Sequence, residues 1–376
     1  MSAARRAGTA GPEVLVLGGG IVGLACAREL ALEGFTVEVV ERLPAGSEAS
    51  LAAAGMLAPL GETGPAGGPL FAACRASRDL WRDFLPALES ASGIGIDHDQ
   101  TGTLLLALDD EGEERLEATE RAAAALGEPA ERCALEAVPR WVPGVAPGLR
   151  GALLLHGEHR VDNVAACAAL GVAAERLGVA LSYGLAVERV ERTGEGVRVS
   201  GAGWTREARL LVLAAGAWSG TLPGLPALPV RPVRGQMVRL DEVDWPWRGA
   251  VREGRLYAVR RGARAMLIGA TVEEAGFAAQ PTAEGVAELR AWTRRVLPGL
   301  AAAEPAAVWA GLRPGTPDGL PLVGPLTGWP VLVASGHFRN GILLAPWTAR
   351  AVAAMALGGG PPEPAFLPER FTVESV

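Results

Sequence analysis

The sequence predicts an α/β protein in two parts, a Rossmann-like dinucleotide-binding domain and a second, sheet-based α+β domain. Three observations predict it. Residues 13–42 read as strand, glycine turn, helix, strand and acid. Residues 331–357 repeat a strand–glycine–helix junction near the other end of the chain. Between these two, residues 229–240 and 256–271 are rich in strand formers, punctuated by Arg-Gly, and belong to a different kind of sheet.

The first stretch organises the rest. The β-branched apolar run Val14–Leu17 reads as a buried strand. Gly18, Gly20 and Gly23 follow at G-x-G-x-x-G spacing. The first glycine permits the tight turn, the second lets backbone approach a pyrophosphate, and the third lets helix and strand pack closely. Residues 24–32 are helical in composition and residues 36–40 form a second strand. A pyrophosphate is expected over the helix N-terminus, where free N–H groups and the helix dipole favour negative charge. Glu41 stands at the end of the second strand, where a carboxylate binds a ribose hydroxyl. That acid argues against a 2′-phosphate and so against NADP. The motif alone leaves NAD and FAD both open.

Bulk composition narrows the class further. A chain of 376 residues with 49% hydrophobic content can bury a large core and probes as two domains. The net charge of −7 and the lack of any long basic run argue against nucleic acid as a partner. No stretch is long and apolar enough to span a membrane, and cytoplasm is the expected location. Arg5-Arg6 followed by an apolar stretch and Ala25-Cys26-Ala27 superficially resembles a signal peptide. Cleavage there would remove the nucleotide turn, so residues 1–12 are read as a flexible tail. Cys26, Cys74, Cys133 and Cys167 are scattered, with neither metal-ligand spacing nor a disulfide framework. His98, His156, His159 and His337 form no ligand set either, and no metal is expected.

Taken in order, residues 43–50 read as a loop leading into the small-residue run 51–59, which can pack closely against something flat. Residues 70–92 read as an amphipathic helix, 102–108 as a strand, and 111–126 as a helix with a solvated face. Residues 135–147 are a Pro-punctuated connector. Residues 151–155 are strand-like, and 162–177 are helical with Asp162 as N-cap. A hairpin spans 187–200. The apolar run 210–214 ends in Ala215-Gly216-Ala217-Trp218-Ser219, which fits either a strand reaching a ligand or a packed strand with a tight turn. Residues 282–296 form a helix, and 309–325 a Gly/Pro-rich segment around Gly311-Leu312-Arg313-Pro314.

Four stretches together carry a family resemblance: Gly18 to Gly23 with Glu41, residues 52–59, residues 311–324 and residues 336–349. Through the pairing of Ala-Ala-Ala-Gly-Met-Leu-Ala-Pro with Gly-His-Phe-Arg-Asn-Gly-Ile-Leu-Leu-Ala-Pro, the chain resembles the flavin-dependent D-amino-acid oxidase superfamily, and within it the glycine oxidases of thiamine biosynthesis. Leu51 departs from the Trp or Ser common in relatives. The resemblance implies a glutathione-reductase-like FAD-binding domain from residues 13–80, 150–225 and 308–376. It implies a substrate domain on an antiparallel sheet from 81–149 and 226–307.

It further implies that the dinucleotide is FAD, lined by Gly18, Gly20, Ile21, Val22, Gly23, Glu41, Arg42, Ala49, Ser50, Ala54, Gly55 and Met56. Val187 would pack on the adenine side, Gly216 would approach the cofactor, and His337, Phe338, Arg339, Asn340, Gly341, Ile342 and Leu343 would close over the flavin. Some relatives hold flavin through a C-terminal cysteine; the last cysteine here is Cys167, so the FAD is expected to be non-covalent. Arg313, Arg339 and Tyr257 match the substrate positions, Arg313 offering a guanidinium fork for a carboxylate. The implied reaction is oxidation of glycine and small amines (sarcosine, small D-amino acids) to the oxo acid through an imine, with O2 reduced to H2O2. No side chain stands out as a general base, and none is assigned. A D-amino-acid dehydrogenase passing electrons to a quinone and a non-catalytic flavoprotein are the rival readings. Homotetramers are the implied assembly.

Overall fold

The computed structural model describes residues 11–64 and 66–371. The expected tail at 1–12 therefore lies almost wholly outside the described residues. The strand Val14–Leu17 sits in the middle of a six-stranded sheet. It pairs in parallel with Val37–Val40 on one side and Leu210–Leu213 on the other. The sheet continues to Ala180–Ser182 beyond the first and to Val331–Ser335, then antiparallel Leu322–Pro325, beyond the second. The chain thus leaves Val14–Leu17 in one direction and later returns on its other side. Such a reversal opens a crevice at the carboxyl ends of the central strands, where α/β sheets bind ligands.

Alternation along that strand explains how both faces are covered. Val14 and Val16 point into a core made with the helices Ile21–Leu32, Pro69–Ser92, Asn163–Arg176 and Gly341–Ala356. Leu15 and Leu17 point the other way, into a core shared with the three-stranded meander Arg189–Arg192, Val197–Gly201 and Trp204–Ala208. A strand buried on two faces needs the unbroken apolar run that its sequence shows. Asp162 caps its helix as expected, accepting from the Val164 and Ala165 N–H groups at 2.9 and 3.1 Å.

The second sheet has eight strands, in the order Ala307–Gly315, Arg231–Leu240, Ala265–Gly269, Leu256–Arg261, Ala250–Glu253, Thr103–Ala107, Gly151–Leu155 and Ala130–Arg132. All neighbours are antiparallel except Ala250–Glu253 with Thr103–Ala107. The helix Ala283–Val296 packs on this sheet through Leu289, Trp292 and Val296.

Four local expectations are corrected. The Gly/Pro-rich segment beginning at Trp309 is largely a nine-residue strand, Ala307–Gly315, in register with Arg231–Leu240 along its whole length. Its glycines admit close neighbours: a Cβ on Gly311 would lie 2.5 Å from the Ala52 Cβ. The strands Gly151–Leu155 and Ala307–Gly315, expected with the nucleotide-binding part, hydrogen-bond into the eight-stranded sheet instead. The loop expected over 43–50 already enters the short helix Ala49–Ala52. The connector at 135–147 contains the helical turn Val138–Trp141.

Candidate cofactor and substrate site

One cavity runs from the glycine turn, along the crevice of the six-stranded sheet, to the first strands of the eight-stranded sheet. At its nucleotide end the turn has the required geometry. Gly18 adopts φ +111°, and a Cβ there would fall 2.3 Å from the Ala214 carbonyl oxygen. A Cβ on Gly23 would fall 1.9 Å from the Gly18 oxygen, so the helix rests directly on the turn. Gly23 therefore serves packing and does not itself line the cavity, whereas Gly18, Gly20, Ile21 and Val22 do.

Glu41 is anchored from behind. Its Oε2 accepts from the Gly19 N–H at 2.7 Å and its Oε1 from the Leu43 N–H at 3.0 Å. Each oxygen keeps lone-pair capacity for a ribose hydroxyl in the cavity. Ser50 accepts from the Ile21 N–H at 2.9 Å, tying the helix start to the Ala49–Ala52 turn. Val22 and Gly23 remain within the first helical turn, where N–H groups lack intrahelical acceptors. Arg42 pairs with Glu48 at 2.7 Å and lies over the Trp218 ring at 3.7 Å. With Val187, Ala49 and Gly216, this stack lines the outer end.

Ala54, Gly55 and Met56 form the middle of the wall, facing His337, Phe338, Gly341 and Ile342. A Cβ on Gly55 would fall 1.9 Å from the Val161 oxygen, which explains the glycine in that small-residue run. His337 is buried, with Nε2 and the Thr348 Oγ1 2.9 Å apart. Burial lowers its pKa to about 4, so it is a neutral strut of the strand–helix junction. Asn340 and Leu343 do not line the cavity. Asn340 occupies the N-cap position of the final helix without a side-chain capping bond, and the Leu343 carbonyl accepts from Ser77 Oγ at 2.6 Å and Trp81 Nε1 at 3.0 Å.

The far end of the cavity belongs to the eight-stranded sheet. Tyr257, Met237, Gly235 and Arg313 line it with Glu62 and Arg339. Arg313 Nη1 donates to the Thr271 carbonyl at 2.9 Å and more weakly to that of Arg234 at 3.4 Å. Among the described residues no carboxylate forms an ion pair with Arg313. Burial lowers its pKa, and the neighbouring Arg339 adds to that lowering. Gly235 makes room for it: a Cβ there would lie 2.2 Å from the guanidinium nitrogens. Tyr257 is buried, its hydroxyl 3.6 Å from the Met237 sulfur. Met237 and Tyr257 both register against Gly269, where a Cβ would lie 2.1 Å from that sulfur.

Arg339 lines the same end but is already engaged. Its Nε donates to Glu62 Oε2, and its Nη2 to Glu62 Oε1 at 3.1 Å. Burial alone would raise the Glu62 carboxyl, but Arg339 and Arg252 together hold it below its ordinary value. Glu62 was not legible in the sequence. It stands in a Gly/Pro-rich stretch that reads as a surface loop, and only contacts from distant segments bring it inside.

Behind Glu62, Glu158 secures the short helix Pro59–Thr63 by accepting from the Gly61 N–H at 2.6 Å. Burial raises its pKa from 4.5 to about 7, only partly offset by hydrogen bonds from Thr103 and Gly61 and by Arg252. The folded protein holds a proton that the unfolded chain releases between these values. Stability from this group is therefore lost as pH rises from about 4.5 through 7. Glu158→Gln keeps the acceptor and abolishes the titration. Its melting temperature should match wild type near pH 4 and exceed it at pH 8, where the gain in stability is on the order of 3 kcal/mol. Equal differences at both pH values would contradict the shifted carboxyl.

FAD fits this cavity on its own terms. The glycines clear the backbone for a diphosphate, Glu41 is held for a ribose, and small residues leave space for a flat ring. No cysteine lines the cavity, and burial raises the thiol pKa of Cys26, Cys74 and Cys167. Among the described residues no cluster could hold a metal ion, and no helix is long and apolar enough to cross a membrane.

A crevice at a parallel-sheet switch point, joined to a carboxylate-ready pocket on a second sheet, defines a nucleotide-dependent redox protein. The sequence profile of the FAD-dependent oxidoreductases matches residues 13–355, and the chain belongs to that family. It is 36% identical to glycine oxidase of Pseudomonas aeruginosa over 360 residues, spanning 93% of this chain and 95% of that one. It is also 36% identical over 347 residues to the bifunctional protein ThiO/ThiG of Nostoc sp., spanning 91% of this chain and 52% of that longer protein. The crystal structure of glycine oxidase from Geobacillus kaustophilus superposes with a TM-score of 0.90 at 32% identity, covering 98% of this chain and all of that one.

Proposed function

We propose that this protein oxidises glycine and other small amines, including sarcosine and small D-amino acids, to the oxo acid. The observation that carries the reading is Arg313, a guanidinium with no ion-pair partner among the described residues, at the end of the cavity that begins at the glycine turn. The likeness to glycine oxidases supports it. Non-covalent FAD, which Gly18, Gly20, Glu41 and Ser50 would hold, would supply the two-electron chemistry, with O2 reduced to H2O2. The chain's own residues position the substrate. Arg313 forks onto the carboxylate, which turns the amine and Cα toward the middle of the cavity. The Tyr257 hydroxyl, whose partner is the Met237 sulfur at 3.6 Å, can donate to the same carboxylate. Apolar and small side chains exclude water from the reacting carbon. The product imine takes up water, giving glyoxylate and ammonia from glycine. The resemblance of the chain to about half of a ThiO/ThiG protein supports a role for that imine in forming the thiazole of thiamine. We place the protein in the cytoplasm as a homo-oligomer, a tetramer by resemblance, which sedimentation can test.

The decisive experiment uses the yellow holoprotein. Acid precipitation should release FAD into the supernatant; flavin in the pellet would overturn non-covalent binding. Anaerobic glycine should bleach the colour, and air should restore it quickly with stoichiometric H2O2. Slow recovery in air would favour a dehydrogenase serving another acceptor. The rate should rise toward alkaline pH, because the ammonium form must lose its proton before the amine can react.

A further inference from the structure

We infer that Glu62 sets the charge class of the substrate, admitting monocarboxylates and rejecting ligands with a second anionic group. The inference rests on the reading that Arg313 takes the substrate carboxylate. Two guanidiniums, those of Arg313 and Arg339, line the same end of the cavity. Left free, such a pair would suit a dicarboxylate. Glu62 removes one of them from play by occupying the Nε–Nη2 edge of Arg339 with both carboxylate oxygens. That edge is the one that recognises carboxylates in two-point fashion.

The pairing is built into the fold. The Glu62 side chain is 4% exposed and that of Arg339 13%. Arg252 backs Glu62, its Nη1 3.2 Å from Oε1, and also donates to the Gly61 carbonyl. Arg252 does not line the cavity, so it fixes Glu62 without offering its own charge to a ligand. A ligand entering beyond Arg313 therefore meets a carboxylate whose cation is spent. A hydrogen or a methyl group is tolerated there. A second carboxylate must either repel Glu62 or displace it from a buried ion pair, and breaking such a pair is strongly unfavourable.

The test is a calorimetric titration of the FAD-loaded protein with acetate and with malonate, neither of which offers an amine to oxidise. The wild-type protein should bind malonate at least tenfold more weakly than acetate; equal binding overturns the inference without any variant. Glu62→Gln, which keeps size and a hydrogen-bonding oxygen, should shift the malonate-to-acetate affinity ratio toward malonate by tenfold or more. An unchanged ratio in a folded, FAD-loaded variant also overturns it. Anaerobic glycine added to the same samples separates the two readings. Flavin left oxidised with a shifted ratio removes amine oxidation and keeps the charge filter. Flavin reduced with a constant ratio does the reverse.

Discussion

Arg313→Ala should retain FAD and lose affinity for glycine by about 2–5 kcal/mol, the range for truncating one partner of a buried charge pair. That corresponds to roughly thirtyfold to several-thousandfold in apparent affinity. The size follows from the surroundings. Among the described residues Arg313 has no carboxylate ion-pair partner, and its two backbone acceptors, Thr271 and Arg234, leave the rest of the fork for a ligand. Without the guanidinium the substrate anion enters a partly buried site lined by Tyr257, Met237 and Phe338, which carry no charge, and by Arg339, whose charge Glu62 already takes. Arg313→Lys should also be impaired, since a point ammonium cannot make two parallel hydrogen bonds. Anaerobic flavin reduction as a function of glycine concentration reads the affinity, and the visible spectrum reports FAD content. Normal glycine affinity in the alanine variant would remove Arg313 from the substrate site.

How much of this was readable in advance depended on how local the signal was. The turn at Gly18, the helix that follows and the acid at Glu41 are legible within one short stretch, because Gly23 rests on Gly18 and Glu41 accepts from Gly19, even though Gly18 itself is pressed by the distant Ala214. The alternation of Val14–Leu17 between two cores required both faces of the strand to be apolar, and the sequence shows it. Arg313 and Tyr257 entered through family resemblance, and both line the cavity. Glu62 escaped because its meaning comes from Arg339, Arg252 and Glu158, which lie far along the chain. The strand Ala307–Gly315 escaped for a related reason. Its glycines weaken any strand signal, yet they are demanded by Ala52 and Val233 pressing on the far side. Arg339 lines the cavity, but its ion pair with Glu62 changes what it can do there.

Gly235 supplies a test of placement separate from charge. A Cβ at this position would sit 2.2 Å from both terminal nitrogens of Arg313, so Gly235→Ala must push the guanidinium aside. The displaced atoms are the far end of a flexible side chain, and Gly235 lies in a strand where alanine is sterically ordinary away from that contact. Folding should therefore change little: the strand keeps its register with Gly311, and the melting temperature should stay near wild type. Function should not. Arg313 keeps its charge but loses the position from which it orients the substrate, and a misplacement of about 1 Å can cost on the order of a hundredfold. The loss in glycine oxidation should thus approach that of Arg313→Ala, although every charge in the cavity is retained. Combining Gly235→Ala with Arg313→Ala should add little to the single arginine variant, because both act through one side chain. Additive losses in the double variant would mean that Gly235 serves the site by some route other than seating Arg313.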